Sequence, residues 1–295
     1  MNILYVMHFL NGFLMLVMPI GLGIYLARRF QFGWRLWWIG AGTFLLAQVG
    51  HLPFNAVLTV MFERGLLPSP PENWHLAFNA LVLGLSAALW EEVARYLAYR
   101  TWAKDARTWA QGLMLGAGHG GIEAIILGLL VLVNFVIMIM LQGMDLSSLI
   151  PSNQLGLIRE QLGVYWSIGW YIPLLGALER FFAICFHLAA SVLVLQVFLR
   201  KQISWLWIAI GLHALLDAVA VFAMGTWGPY VAEALIAVLA LLSLGIIFGL
   251  RPAHWDETPQ TETLAMDPRT LQVLSQVALP DLAETPENLE STRFT

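Results

Sequence analysis

Long apolar stretches separated by short polar segments dominate the hydrophobic pattern of this chain. A helix needs about 20 mostly apolar residues to cross a bilayer. Seven stretches meet that length: 4–27, 37–61, 76–99, 109–141, 168–198, 204–224 and 229–250. The pattern therefore predicts an all-α fold, a polytopic membrane helix bundle with seven transmembrane helices.

Two parts of the pattern depart from simple spans. The fourth stretch is long enough either to run past the bilayer as one helix or to end in a short interfacial segment. Residues 143–167 mix apolar and polar positions around Pro151, which predicts a loop with surface-lying helical character.

Residues 1–251 are thus expected to form the seven-span domain. Residues 252–295 are polar, acidic and rich in proline, and we expect a largely disordered cytosolic tail that can form a short helix near 268–277.

The distribution of basic residues predicts the orientation. Lys and Arg are retained on the cytoplasmic side of short loops. Nine of them flank one set of span ends and only two, Arg64 and Arg159, flank the other. This bias predicts an N-terminus outside and a cytosolic C-terminus.

Composition narrows the class of protein. The chain is 59% hydrophobic and 12% charged, whereas soluble domains are roughly a quarter charged. We therefore expect an integral, multi-pass protein with membrane lipid as its surroundings. Its expected location is a prokaryotic plasma membrane. The net charge of −4, with acidic residues concentrated in the tail, argues against a nucleic-acid partner. The single cysteine, Cys185, excludes an intrachain disulfide.

Four of the predicted spans carry charged or ionisable residues in their interiors. Such groups are rare and costly inside a bilayer, so each is a candidate for a partner, a water-filled cavity or chemistry. They are Glu91, Glu92 and Arg95 in the third span, His119 and Glu123 in the fourth, Glu179, Arg180 and His187 in the fifth, and His213 and Asp217 in the sixth.

Depth and spacing predict that these side chains meet. At about 1.5 Å per residue, one residue from each of the four spans lies about 15–20 Å from the cytosolic face: Glu91, His119, His187 and His213. Residues four or seven apart also share a helix face. The predicted result is a polar chamber inside the bundle, with the small residues of GAGHGG (116–121) allowing close helix approach.

This combination of residues is suited to hydrolysis by either of two routes. A glutamate could deprotonate a water that attacks a peptide carbonyl, with histidines protonating the leaving amine. Alternatively, the three histidines His119, His187 and His213 could hold zinc beside the carboxylates. The spacing does not choose between the routes, and no HExxH motif is present. The cofactor therefore stays open, with zinc as the candidate.

Other functions fit the same residues less well. The polar layer could stabilise a non-catalytic scaffold that binds a partner span, or serve a proton-coupled transporter, although no inverted repeat is visible. Haem binding through His187 and His213 is a further alternative. We interpret His8, His51 and His75 as residues that hydrogen bond between helices. We expect Glu233, near the outer end of the seventh span, to face the membrane interface.

Four short motifs in order resemble the YhfC family of intramembrane metalloproteases: EEVAR (91–95), GHGGIEA (118–124), ERFFAICFH (179–187) and HALLD (213–217). That family is grouped with the CAAX protease and bacteriocin-processing proteins and the PrsW-like glutamic proteases. The resemblance implies an intramembrane endopeptidase that cleaves a peptide or membrane-protein substrate in or next to the membrane.

The resemblance also implies roles for individual residues. Glu91, Glu92, His187 and His213 take the positions of catalytic residues, and either glutamate could be the base. Supporting roles fall to the other ionisable residues of the motifs: Arg95, His119, Glu123, Glu179, Arg180 and Asp217. Whether the enzyme is of the glutamic or the metallo type, and its oligomeric state, stay open.

Overall fold

The computed structural model describes residues 3–148 and 151–252, and these fold into eight α-helices without a β-strand. The helices are α1 (Ile3–Phe30), α2 (Arg35–Glu63), α3 (His75–Arg100), α4 (Trp109–Gln142), α5 (Ser152–Ser167), α6 (Leu174–Leu199), α7 (Ser204–Trp227) and α8 (Pro229–Gly249). All of them except α5 are long and apolar enough to cross a membrane, so the predicted all-α bundle of seven spans is confirmed.

Several details of the pattern are resolved by the structure. The fourth span is one continuous helix of 34 residues, about 51 Å long at 1.5 Å per residue. The helical character predicted within residues 143–167 is confirmed as α5, and the fifth span begins later than predicted, at Leu174, just after Pro173. The orientation of the termini stays a prediction. The predictions for the tail beyond residue 252 lie outside the described residues.

Local sequence signals explain where two helices begin. Thr108 caps α4: its side chain accepts a hydrogen bond from the Gln111 backbone, and the Gln111 side chain accepts one from the Thr108 backbone. Gly228 separates α7 from α8 with a φ of 82°, a left-handed conformation that favours glycine. Pro229 then starts α8 at a position that needs no backbone donor.

The packing of α6 and α4 places the ionisable residues at the centre of the bundle. In the most apolar stretch of α6, 72% of the residues are buried, against 11% in that of α2. Glycines let α4 approach its neighbours backbone to backbone. A Cβ on Gly118 would lie 1.9 Å from the carbonyl oxygen of Trp37 in α2, and one on Gly116 would lie 2.6 Å from that of His187 in α6. The sequence-based interpretation of these glycines as close-approach residues is confirmed.

Candidate active site

Four helices bring the predicted ionisable residues into one cluster. His119 Nε2 lies 3.0 Å from Glu91 Oε2, and His213 Nε2 lies 3.8 Å from the same oxygen. The ring centroids of His119 and His187 are 4.9 Å apart. A cavity of about 90 Å³ adjoins the cluster, lined by Glu91, Glu123, Glu179, Arg180, His187, His213 and Asp217. We call it the chamber.

The two adjacent glutamates have different surroundings. Glu91 lines the chamber, whereas Glu92 is fully buried and does not. Glu92 accepts hydrogen bonds from Arg95 on its own helix and from Nδ1 of His213, 2.8 Å away. Arg95 is also fully buried and donates to His187 Nδ1 at 3.2 Å. Glu92 is therefore the ion-pair partner of Arg95, and Glu91 is the glutamate that faces the chamber.

A hydrogen-bond chain fixes the tautomer of His119. The Thr43 hydroxyl donates its one hydrogen to the Gly40 carbonyl, so it can only accept from His119 Nδ1, which is 2.7 Å away. His119 therefore carries a hydrogen on Nδ1. In a neutral ring, Nε2 then presents a lone pair to Glu91 Oε2 at 3.0 Å. Two lone pairs in that position repel unless a proton or a metal cation lies between them.

The other two histidines are held by their neighbours in the same way. An arginine can only donate, so His187 Nδ1 accepts from Arg95 and Nε2–H donates to Glu123 Oε2 at 2.7 Å. His213 donates Nδ1–H to Glu92. Its Nε2 faces Asp217 Oδ2 at 3.6 Å as well as Glu91, a position from which it could pass a proton between the two carboxylates.

The charges of this cluster are not balanced by arginines. Arg180 pairs with both Glu123 and Glu179, as Arg95 does with Glu92. With Glu91 and Asp217, five carboxylates face two guanidinium groups. If all are ionised and the histidines neutral, three negative charges are in excess at membrane depth, and such an excess attracts protons or a divalent cation.

Three side chains have the arrangement needed to hold a metal ion. Glu91, His119 and His187 each offer a ligand atom, and these atoms lie within 4.8 Å of one another. The sequence-based set contained His213 instead of Glu91. The structure groups the residues differently: Glu91 lies directly against His119, whereas His213 uses Nδ1 to bond Glu92 and its Nε2 lies farther from Glu91, at 3.8 Å.

Sequence reasoning missed the contribution of α2, whose interior carries no charged side chain. Gln48 donates to Glu91 Oε1 at 3.1 Å, and its own oxygen lies 3.3 Å from His51 Nδ1. His51 Nε2 lies 3.2 Å from Ser86 of α3, which confirms its interpretation as a residue that bonds between helices. The available signal was the recurrence of polar residues at Thr43, Gln48 and His51 within an apolar span.

Two further sequence interpretations were wrong. Glu233, expected at the membrane interface, is buried with 7% exposure because α8 turns it toward the bundle. His75, expected to bond between helices, lies 2.7 Å from the carbonyl oxygen of Pro70 in the loop that precedes its own helix.

The fold and the cluster define a polytopic integral membrane protein with a buried Glu/His site. The model of the YhfC intramembrane metalloprotease family matches residues 14–240, so the chain belongs to this family. A relative from Bacillus subtilis (strain 168), "Uncharacterized membrane protein YhfC", is 29% identical over 249 residues, which cover 80% of this chain and 92% of the relative. No solved structure matches the chain.

Proposed function

We propose that this protein is an intramembrane peptidase that hydrolyses a peptide bond of a membrane-associated polypeptide in the chamber. The observation that carries the proposal is the contact between His119 Nε2 and Glu91 Oε2 at 3.0 Å, with the hydrogen of the imidazole directed away toward Thr43. The family description, intramembrane metalloprotease, supports the same reaction class.

The donor set fits a divalent metal such as zinc. Glu91, His119 and His187 would hold it, and His187 would first release one of its present partners, Arg95 at Nδ1 or Glu123 at Nε2. Carboxylate oxygen and imidazole nitrogen are common ligands of catalytic zinc. Thr43 supplies the outer hydrogen bond that ligating histidines usually have. A metal held there would make a bound water nucleophilic at neutral pH and polarise a carbonyl.

The chain's own residues would handle the protons of the reaction. His213 Nε2 lies between Glu91 and Asp217, so it can accept the proton that the attacking water loses and donate it to the leaving amine. Glu92 would keep His213 in orientation through its Nδ1–H. Ala183, Leu216 and Ile236 supply apolar parts of the chamber wall.

The experiment is cleavage of a panel of single-span peptides in vesicles by purified full-length protein, together with its zinc content. We expect wild type to bind about one zinc and to cleave at least one peptide, and Glu91→Gln and His119→Gln to lose most of both. Removal of a catalytic group costs about 10²-fold or more in rate. Glu233→Gln is the matched control, because Glu233 is a buried acid of the same bundle that does not line the chamber.

The outcomes separate the hypotheses. Cleavage that survives complete chelation and Glu91→Gln would overturn the proposal. Cleavage that needs Glu91 but survives chelation would assign the glutamate–histidine route. A wild-type protein that binds no metal, cleaves nothing and retains a partner in pull-down experiments would favour the scaffold alternative.

A further inference from the structure

A second, larger cavity lies on the other side of the Glu179–Arg180 pair. It is a groove of about 480 Å³ between α1, α4, α5 and α6, a volume within the roughly 300–1,000 Å³ typical of ligand pockets. Its lining combines apolar residues, such as Met15 of α1 and Leu130 of α4, with polar ones. We call it the α1–α4–α6 groove.

The groove and the chamber share two lining residues. Glu179 and Arg180 line both cavities. Arg180 also binds Glu123, whose other oxygen accepts from His187 in the chamber. A molecule that fills the groove therefore ends one side chain away from the proposed catalytic cluster.

Two polar side chains that line the groove have hydrogen-bonding atoms without a partner within the described part of the chain. His8 is 95% buried, its ring stacks on Tyr165 at 4.1 Å and also hydrogen bonds the Tyr165 backbone, but its Nε2 has no partner among the described residues. Asn134 lines the groove from an apolar stretch of α4, where it is exposed, and its side chain makes no hydrogen bond to another described residue. Polar groups without partners are costly at membrane depth. Groups left in this state at a cavity therefore mark where a ligand bonds.

We propose that the α1–α4–α6 groove binds an extended segment of the substrate polypeptide beside its scissile bond. This inference rests on the proposed function and names how that substrate is held. A helix must open locally before its peptide bond can be attacked, and the opened backbone then has unpaired N–H and C=O groups. His8 and Asn134 can bond those groups while Met15 and Leu130 contact apolar side chains. A lipid chain would leave both polar residues unpaired, so the groove favours a peptide.

The test is photo-crosslinking in phosphatidylcholine vesicles with full-length protein. A benzoylphenylalanine replaces Val131, which lines the groove, or Leu129, which is 50% exposed on another face of α4 and is the matched control. The probe is a single-span peptide of about 20 Leu and Ala residues with a central Gly-Pro break. The same peptide without the break is its control. The Glu91→Gln background removes cleavage from the measurement.

We expect the broken peptide to crosslink several-fold more at position 131 than at 129, and more than the unbroken peptide at 131. His8→Leu should reduce the yield at 131 about threefold to tenfold, the change in affinity expected for one lost hydrogen bond, and His8→Gln should restore it. Equal yields at the two positions, equal yields for the two peptides, or phospholipid as the only product at 131 would overturn the proposal. Because crosslinking needs neither metal nor cleavage, failure of the proposed function leaves this result readable.

Discussion

Two arginine–carboxylate pairs in this protein have the same chemistry and opposite surroundings. Arg95 and Glu92 are both fully buried, whereas the side chains of Arg35 and Asp105 are 57% and 59% exposed. Water can replace either partner of the exposed pair, so that pair contributes little to stability. Water cannot reach the buried pair to replace a lost partner. The comparison teaches that here burial, rather than the ion pair itself, decides how much a charged residue matters.

The largest expected effect is a loss of stability when only one partner of the buried pair is replaced. Arg95→Leu leaves Glu92 buried with His213 as its remaining partner, and an uncompensated buried charge costs about 3–5 kcal/mol. We expect a large loss of folded protein and of the thermal unfolding midpoint, measured in detergent.

The double variant Glu92→Leu/Arg95→Leu is the control for this prediction. Replacing both partners of a buried pair by apolar residues is often neutral or stabilising. The double variant should therefore be more stable than Arg95→Leu alone. If the two unfold at the same temperature, loss of packing rather than the unpaired charge explains the effect.

The second-largest effect is expected on zinc affinity, when the hydrogen bond between Thr43 and His119 is removed. Thr43→Val removes the hydroxyl that accepts from His119 with little change in shape, and loss of such an outer partner weakens metal binding about 10–100-fold. Competition with a zinc chelator measures the affinity. Thr59→Val on the same helix, where the hydroxyl bonds only the Asn55 carbonyl, should leave it unchanged. Equal affinities for wild type and Thr43→Val would contradict the assigned tautomer.

A smaller effect is expected at Gln48. Its amide donates to the Glu91 oxygen that does not face His119. Gln48→Leu should lower zinc affinity by about threefold to tenfold, the value of one hydrogen bond, because Glu91 becomes free to rotate. Gln48→Glu should lower the zinc affinity less than Gln48→Leu does. The new carboxyl group lies beside Glu91, which favours its protonated form, and that form can still donate a hydrogen bond to Glu91. An unchanged affinity in Gln48→Leu would show that α2 does not position Glu91.

The smallest effect is expected at the exposed pair. The hydrogen bond from Arg35 holds the pKa of Asp105 below its ordinary value. A lowered carboxyl pKa contributes stability above the ordinary value of about 3.9, and this contribution is lost as the pH falls through the lowered value. Asp105→Asn should thus lower the unfolding midpoint by a degree or less at pH 7, and the difference should disappear in acid. A large drop of the unfolding midpoint at neutral pH would contradict the conclusion that the exposed pair contributes little to stability.

Much of this architecture could be predicted from the sequence because the bilayer imposes simple requirements. A helix that spans hydrocarbon needs a long apolar stretch, so the number of spans follows from hydropathy alone. The four spans that carry Glu91, His119, His187 and His213 were identified in the same way, since ionised groups must avoid lipid and therefore turn inward.

Only the tertiary structure decided how these residues are paired. Glu91 and Glu92 are neighbours in the chain, and their division into a chamber residue and an ion-pair partner depends on where Arg95 and His213 lie in space. The uncharged residues of α2 gave no comparable signal, although they orient His119 and Glu91. The hydropathy pattern predicts, for each side chain by itself, how deep it lies and which face of its helix it occupies. A hydrogen bond between helices also requires that two atoms come within about 3 Å of each other. That distance is set by how the helices pack.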